Sequence, residues 1–148
     1  MKTIKLWLTT IAVLLCSITV KAHDFEVDGI YYNILSYTDL TVEVTFRGDE
    51  PGYYTDTYTG DVILKSDVTY NGKNYKVVGI GFNAFLVNFG LKSITIPESI
   101  TSIGEASFAM CSSLTSVTIP SGVTSIGLSA FANCSGLKSI VVDANNPI

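Results

Sequence analysis

Residues 91–113 read LKSITIPESITSIGEASFAMCSS and residues 114–136 read LTSVTIPSGVTSIGLSAFANCSG, and the two copies match at 13 of 23 positions. A fixed period of this size is the mark of stacked repeats, because each copy can hide its apolar edge only against the next. No other feature of the chain restricts its fold as strongly. Leu91, Ile94, Ile96, Ile100, Ile103 and Phe108 recur as Leu114, Val117, Ile119, Val123, Ile126 and Phe131. The frame runs backward through Val77, Ile80, Gly81 and Phe85, and forward through Leu137 and Ile140.

Each copy reads as one coil. Ser-Ile-Thr-Ile alternates hydroxyl with apolar residues, the period of a short strand with one buried face. Pro97 and Pro120 end that strand where a missing N–H does no harm. Ile-Thr-Ser-Ile-Gly gives a second extended piece with a glycine corner, and Glu-Ala-Ser-Phe-Ala-Met-Cys predicts a single helical turn leading to the next Leu. The expected fold is mostly β, a solenoid of 23-residue coils made of short strands plus one helical turn, behind a small antiparallel β region.

The front half carries the antiparallel signals. Asp28-Gly29 lies between alternating apolar residues, and Asn71-Gly72 lies within VTYNGKNYKV, both tight-hairpin signatures. Val42, Val44 and Phe46 alternate with Thr41, Glu43 and Thr45, and a further strand is expected at residues 61–65. All eight tyrosines lie between Tyr31 and Tyr75, as good strand residues with one wet end or as a sugar-stacking surface.

The first 22 residues stand apart. Lys2 and Lys5 precede an uncharged apolar run from Leu6 to Val20, and Val20-Lys21-Ala22 is a small-x-small cleavage pattern. This reads as a secretory signal peptide cut between Ala22 and His23; the run is short of the ~20 residues a membrane span needs. The expected organisation is a signal peptide at 1–22, a hairpin-rich cap at 23–74 and a solenoid at 75–148. Within the solenoid fall a partial coil at 77–90, full coils at 91–113 and 114–136, and an unfinished coil at 137–148. A coil left unfinished exposes an apolar end, so the sequence reads as a fragment or a truncated reading frame of a longer repeat protein, with dimerisation through the open end as the alternative.

Charge limits the partners. From His23 onward 6 basic residues face 13 acidic ones, a net charge of −7, and ten of the acids fall between Asp24 and Asp67. Phosphate backbones repel such a chain, which argues against nucleic acid. The one histidine, His23, stands at the expected mature N-terminus, so a Ser or Cys nucleophile has no evident base, and neither catalytic residues nor a cofactor is expected. The acids of residues 49–61 match no calcium-loop spacing, so no metal site is assigned. Cys111 and Cys134 hold equal places in successive coils, which suits either a disulfide or a ladder of buried thiols.

These residues resemble the BspA-type leucine-rich repeat family of bacterial surface and secreted proteins, through L-x-S-[IV]-T-I-P-x-x-[IV]-T-S-I-G-x-x-[AS]-F-x-x-C-S, which appears twice. The resemblance covers about half the chain and implies a secreted or cell-surface adhesion module that binds host or other cell-surface macromolecules. A passive spacer within a longer surface protein and a glycan-binding module are the alternatives. Specificity is expected where the copies vary or carry hydroxyl ladders in solvent: Lys92, Thr95, Glu98, Thr101, Glu105, Thr115, Thr118, Thr124, Leu128 and Lys138. An extended surface of this kind suits a protein or other macromolecule better than a small substrate.

Overall fold

A computed structural model describes residues 23–148; the expected signal peptide lies outside the described residues. Both sequence-predicted hairpins form. Strands β1 (Phe25–Val27) and β2 (Ile30–Ser36) turn at Asp28-Gly29, and β5 (Asp67–Tyr70) and β6 (Lys73–Ile80) turn at Asn71-Gly72. Both turn residues of each hairpin have positive φ, the twist that a two-residue hairpin needs. β3 (Thr41–Thr45) pairs antiparallel with β2 and parallel with β6.

The repeats stack in register. β8 (Ser102–Ile103) pairs parallel with β6, and β10 (Ser125–Ile126) with β8, always residue i with i+23. On the other strand side, β7 (Leu91–Thr95) follows β4 (Gly60–Ile63), and β11 (Ser139–Val142) pairs parallel with β9 (Ser116–Ile119), again 23 apart. β9 adjoins β7 through the Thr115 N–H, which donates to the Lys92 carbonyl at 3.4 Å. Gly104 and Gly127 are fixed by this closeness: a Cβ on Gly104 would lie 2.7 Å from the carbonyl carbon of Gly81, and one on Gly127 would lie 2.4 Å from the Glu105 nitrogen.

The third side corrects an expectation. Glu-Ala-Ser-Phe-Ala-Met-Cys makes no helical turn, and its odd and even amides take separate partners. Phe85, Phe108 and Met110 donate to the next coil, at Ser107, Ala130 and Ala132. Ala84, Ala109 and Cys111 donate back three residues, at Gly81, Ala106 and Phe108. A helix would spend every amide within its own coil, whereas this alternation ties neighbouring coils together. It needs left-handed backbone at Asn83, Val87, Ala106, Met110, Ser129 and Asn133, at a cost of about 1–2 kcal/mol per non-glycine residue that the inter-coil bonds offset.

The front strands serve as the coil before the first coil. β3 sits on β6 and β4 on β7, so both strand sides begin in the front half. The division expected after Asn74 falls inside β6. Phe85, Phe108 and Phe131 stack nearly parallel, with centroids 4.9 and 5.2 Å apart, and Tyr58 heads the column 4.6 Å from Phe85. The Tyr58 hydroxyl donates to the Thr45 carbonyl at 2.8 Å and accepts from the Tyr31 amide at 3.2 Å. One apolar core thus runs from Phe25 and Tyr32 through the coils to Val123 and Ala130.

Candidate binding surface

All ten candidate residues are exposed, but the fold distributes them over different sides. Lys92, Thr115 and Lys138 form one row at the openings of β7, β9 and β11, with the Lys138 N–H donating to the Thr115 carbonyl at 2.9 Å. Thr95 and Thr118 form a second row on the same side, because outward residues of a strand alternate with the buried Ile94, Ile96, Val117 and Ile119. That row continues to Ile63, paired with Thr95, and to Val141, paired with Thr118. Between the two rows, the Ser93 hydroxyl donates to Asp61 Oδ1 at 2.7 Å.

The remaining candidates go elsewhere. Glu98 is bound into the scaffold: its Oε2 accepts from Ser121 Oγ at 2.6 Å and from the Gly122 amide at 3.3 Å, joining one coil to the next. Thr101 and Thr124 stand on the β6–β8–β10 side, and their hydroxyls donate to the carbonyls of Val78 and Thr101 at 3.0 and 3.2 Å. Their own amides use those same carbonyls. Glu105 and Leu128 lie on the turn side, where Leu128 is 78% exposed.

The turn side also carries residues that the comparison of the two full copies leaves out. Stepping the 23-residue frame back from Glu105, Met110 and Ser112 gives Phe82, Val87 and Phe89. Phe82 is 56% and Phe89 49% exposed. The signal was present in the partial first coil, where Phe89 holds a place that later coils give to Ser112 and Ser135, and Phe82 one that the next coil gives to Glu105.

Cys111 and Cys134 are free thiols. Cys111 Sγ donates to the Phe85 carbonyl and Cys134 Sγ to the Phe108 carbonyl, each at 3.0 Å. Burial, and secondarily the neighbouring Cys134, pushes the Cys111 thiol up to about 12, and burial also raises Cys134. Both are therefore neutral near pH 7 and poor nucleophiles. Asn88 holds the same place one coil earlier; its Oδ1 accepts from the Tyr58 amide at 2.8 Å. Among the described residues, no group of three or more His, Cys, Asp or Glu is placed to hold a metal ion, and no helix is long and apolar enough to cross a membrane.

Parallel short strands in 23-residue register, closed on the third side by a ladder of turns, define a leucine-rich-repeat solenoid. The chain belongs to the BspA type leucine rich repeat family: the family model, described as a BspA type leucine rich repeat region (6 copies), matches residues 63–147, more than half of the chain.

Its fold is similar to that of a leucine-rich repeat protein from Bacteroides ovatus ATCC 8483, at 27% identity and a TM-score of 0.53, over 80% of this chain and 41% of that one. A leucine-rich repeat protein from Bacteroides capillosus ATCC 29799 gives a TM-score of 0.53 at 19% identity, over 81% of this chain and 98% of that one. A leucine rich cell surface protein from Faecalibacterium prausnitzii A2-165 is similar at 20% identity and a TM-score of 0.44, over 82% of this chain and 43% of that one. The chain therefore spans less than half the length of the Bacteroides ovatus protein. No curated protein matches the sequence.

Proposed function

We propose that this protein is exported through the signal peptide at residues 1–22 and acts outside the cytoplasm as a protein-binding, adhesive module toward host or other cell-surface macromolecules. The observation that carries the reading is the pair of outward rows on β7, β9 and β11. Lys92, Thr115 and Lys138 stand beside Thr95 and Thr118, exposed on a strand side whose backbone is fixed by register stacking. A rigid surface of this kind limits the conformational entropy lost on binding. The two lysines add cationic points to a part of the chain otherwise poor in charge, and hydroxyls between them give directional bonds without a desolvated ion. The role is binding rather than catalysis, and it needs no cofactor.

The test is capture by immobilised extracellular matrix and cell-surface proteins. The exported chain is expected to bind at least one, and Lys92→Glu with Lys138→Glu to weaken capture at least about tenfold, the scale of losing charged contacts at an interface. Substituting Thr101 and Thr124, whose hydroxyls are engaged with backbone, is expected to leave capture intact. Unchanged capture by the double lysine variant would remove this side from the account.

A further inference from the structure

The turn side holds a second, chemically different surface at its front end. The loop between β3 and β4 packs there: a Cβ on Gly52 would lie 3.3 Å from Leu86 and 3.4 Å from Val87. The loop thus rests on the segment that exposes Phe82 and Phe89. On the loop, Asp49, Glu50, Tyr53 and Tyr54 line a cleft of about 280 Å³. Tyr53 is 73% exposed and meets Tyr54 edge to face, with centroids 5.1 Å apart.

The platform is held in place. The Tyr54 ring lies over the bare backbone of Gly48, where a Cβ would come within 2.4 Å of Tyr54 Cε2, and Gly48 has φ +82°. The Tyr54 carbonyl accepts from Thr57 Oγ1 at 3.1 Å. The Arg47 guanidinium sits 4.7 Å from the centre of the Tyr54 ring, so this loop already seats a cation on an aromatic face. Tyr53 presents an exposed ring beside two carboxylates, in the half of the chain that holds ten of the thirteen acids.

We propose that this surface binds a basic segment of a protein partner, with a lysine or arginine side chain seated against Tyr53 between Asp49 and Glu50, and an adjoining apolar residue on Phe82 and Phe89. Charge complementarity selects the occupant: exposed rings and carboxylates attract a cation whose apolar stem also packs on the aromatic faces. The proposal deepens the protein-binding reading but does not use the strand-side rows, so each can fail alone.

The test is an NMR titration of the exported chain with a short synthetic peptide alternating arginine and phenylalanine, against its glutamate-for-arginine analogue. The arginine peptide is expected to shift the Tyr53, Tyr54, Phe82 and Phe89 ring signals saturably, with affinity falling as salt is raised. Asp49→Asn with Glu50→Gln is expected to weaken it about tenfold, the scale of losing rim charges. Asp67→Asn, an acid elsewhere in the front half, and Lys92→Glu with Lys138→Glu should change it little. The proposal is overturned if the glutamate peptide binds equally well or the Asp49/Glu50 variant binds unchanged. It is also overturned if the shifts map to the strand-side rows, or if a neutral oligosaccharide displaces the peptide from these tyrosines.

Discussion

Ser107 carries a buried hydroxyl without a hydrogen-bond partner, at a place that the neighbouring coils fill with Ala84 and Ala130. An orphaned buried polar group costs about 1–3 kcal/mol, so Ser107→Ala is expected to raise unfolding stability by about 1 kcal/mol, read as a higher urea midpoint at unchanged slope. Glu43 is unusual in another way. It lies half-buried over Gly81, and burial raises its carboxyl above the ordinary range, with a hydrogen bond from Asn33 pulling the other way. The native chain therefore holds this proton more tightly than the unfolded chain does. Its contribution to stability is complete below the unfolded-state pKa and is lost as pH rises through the raised native value. Between pH 4 and pH 7 the wild-type urea midpoint is expected to fall relative to that of Glu43→Gln; a constant offset between the two would contradict the assignment.

At the scale of elements, Tyr58 joins the front strands to the coils, as head of the aromatic column and as hydrogen-bond bridge between β2 and β3. Tyr58→Phe keeps the ring but strands the Tyr31 amide and the Thr45 carbonyl, so a loss of about 1–3 kcal/mol is expected in denaturant unfolding. Hydrogen exchange should also quicken at Tyr31. The thiols report on the coils in order: a thiol reagent at pH 8 should modify half-buried Cys134 well before Cys111, which should react only on unfolding. A disulfide, with no thiol free at all, would contradict the ladder.

Much of this was legible in the sequence, because it depends on residues whose partner lies at a known spacing. The period gave the register from Ile80 to Ile126, and Asp28-Gly29 and Asn71-Gly72 gave the hairpins. The turn side was not legible, since the choice between a helical turn and alternating amides depends on the coil that follows. The engagement of Glu98, Thr101 and Thr124 likewise depends on atoms one coil away, and a residue that varies in solvent can still serve the scaffold. Tyr58 was hidden because its equivalence to Phe85 appears only once the front loop is laid on the first coil.

Over the whole molecule, front and repeats form one stack with an acidic, tyrosine-rich front and a nearly uncharged back. Neighbour-to-neighbour contacts carry the stability, and the proposed binding chemistry is assigned to the outward rows. The central claim is that the β7–β9–β11 side engages a protein. Hydrogen-exchange footprinting of the chain bound to a captured extracellular protein tests it most directly. The account predicts slowed exchange around residues 91–95, 115–118 and 138–141, with the β6–β8–β10 side unchanged. Protection confined to the β6–β8–β10 side, or none on β7, β9 and β11, would contradict it.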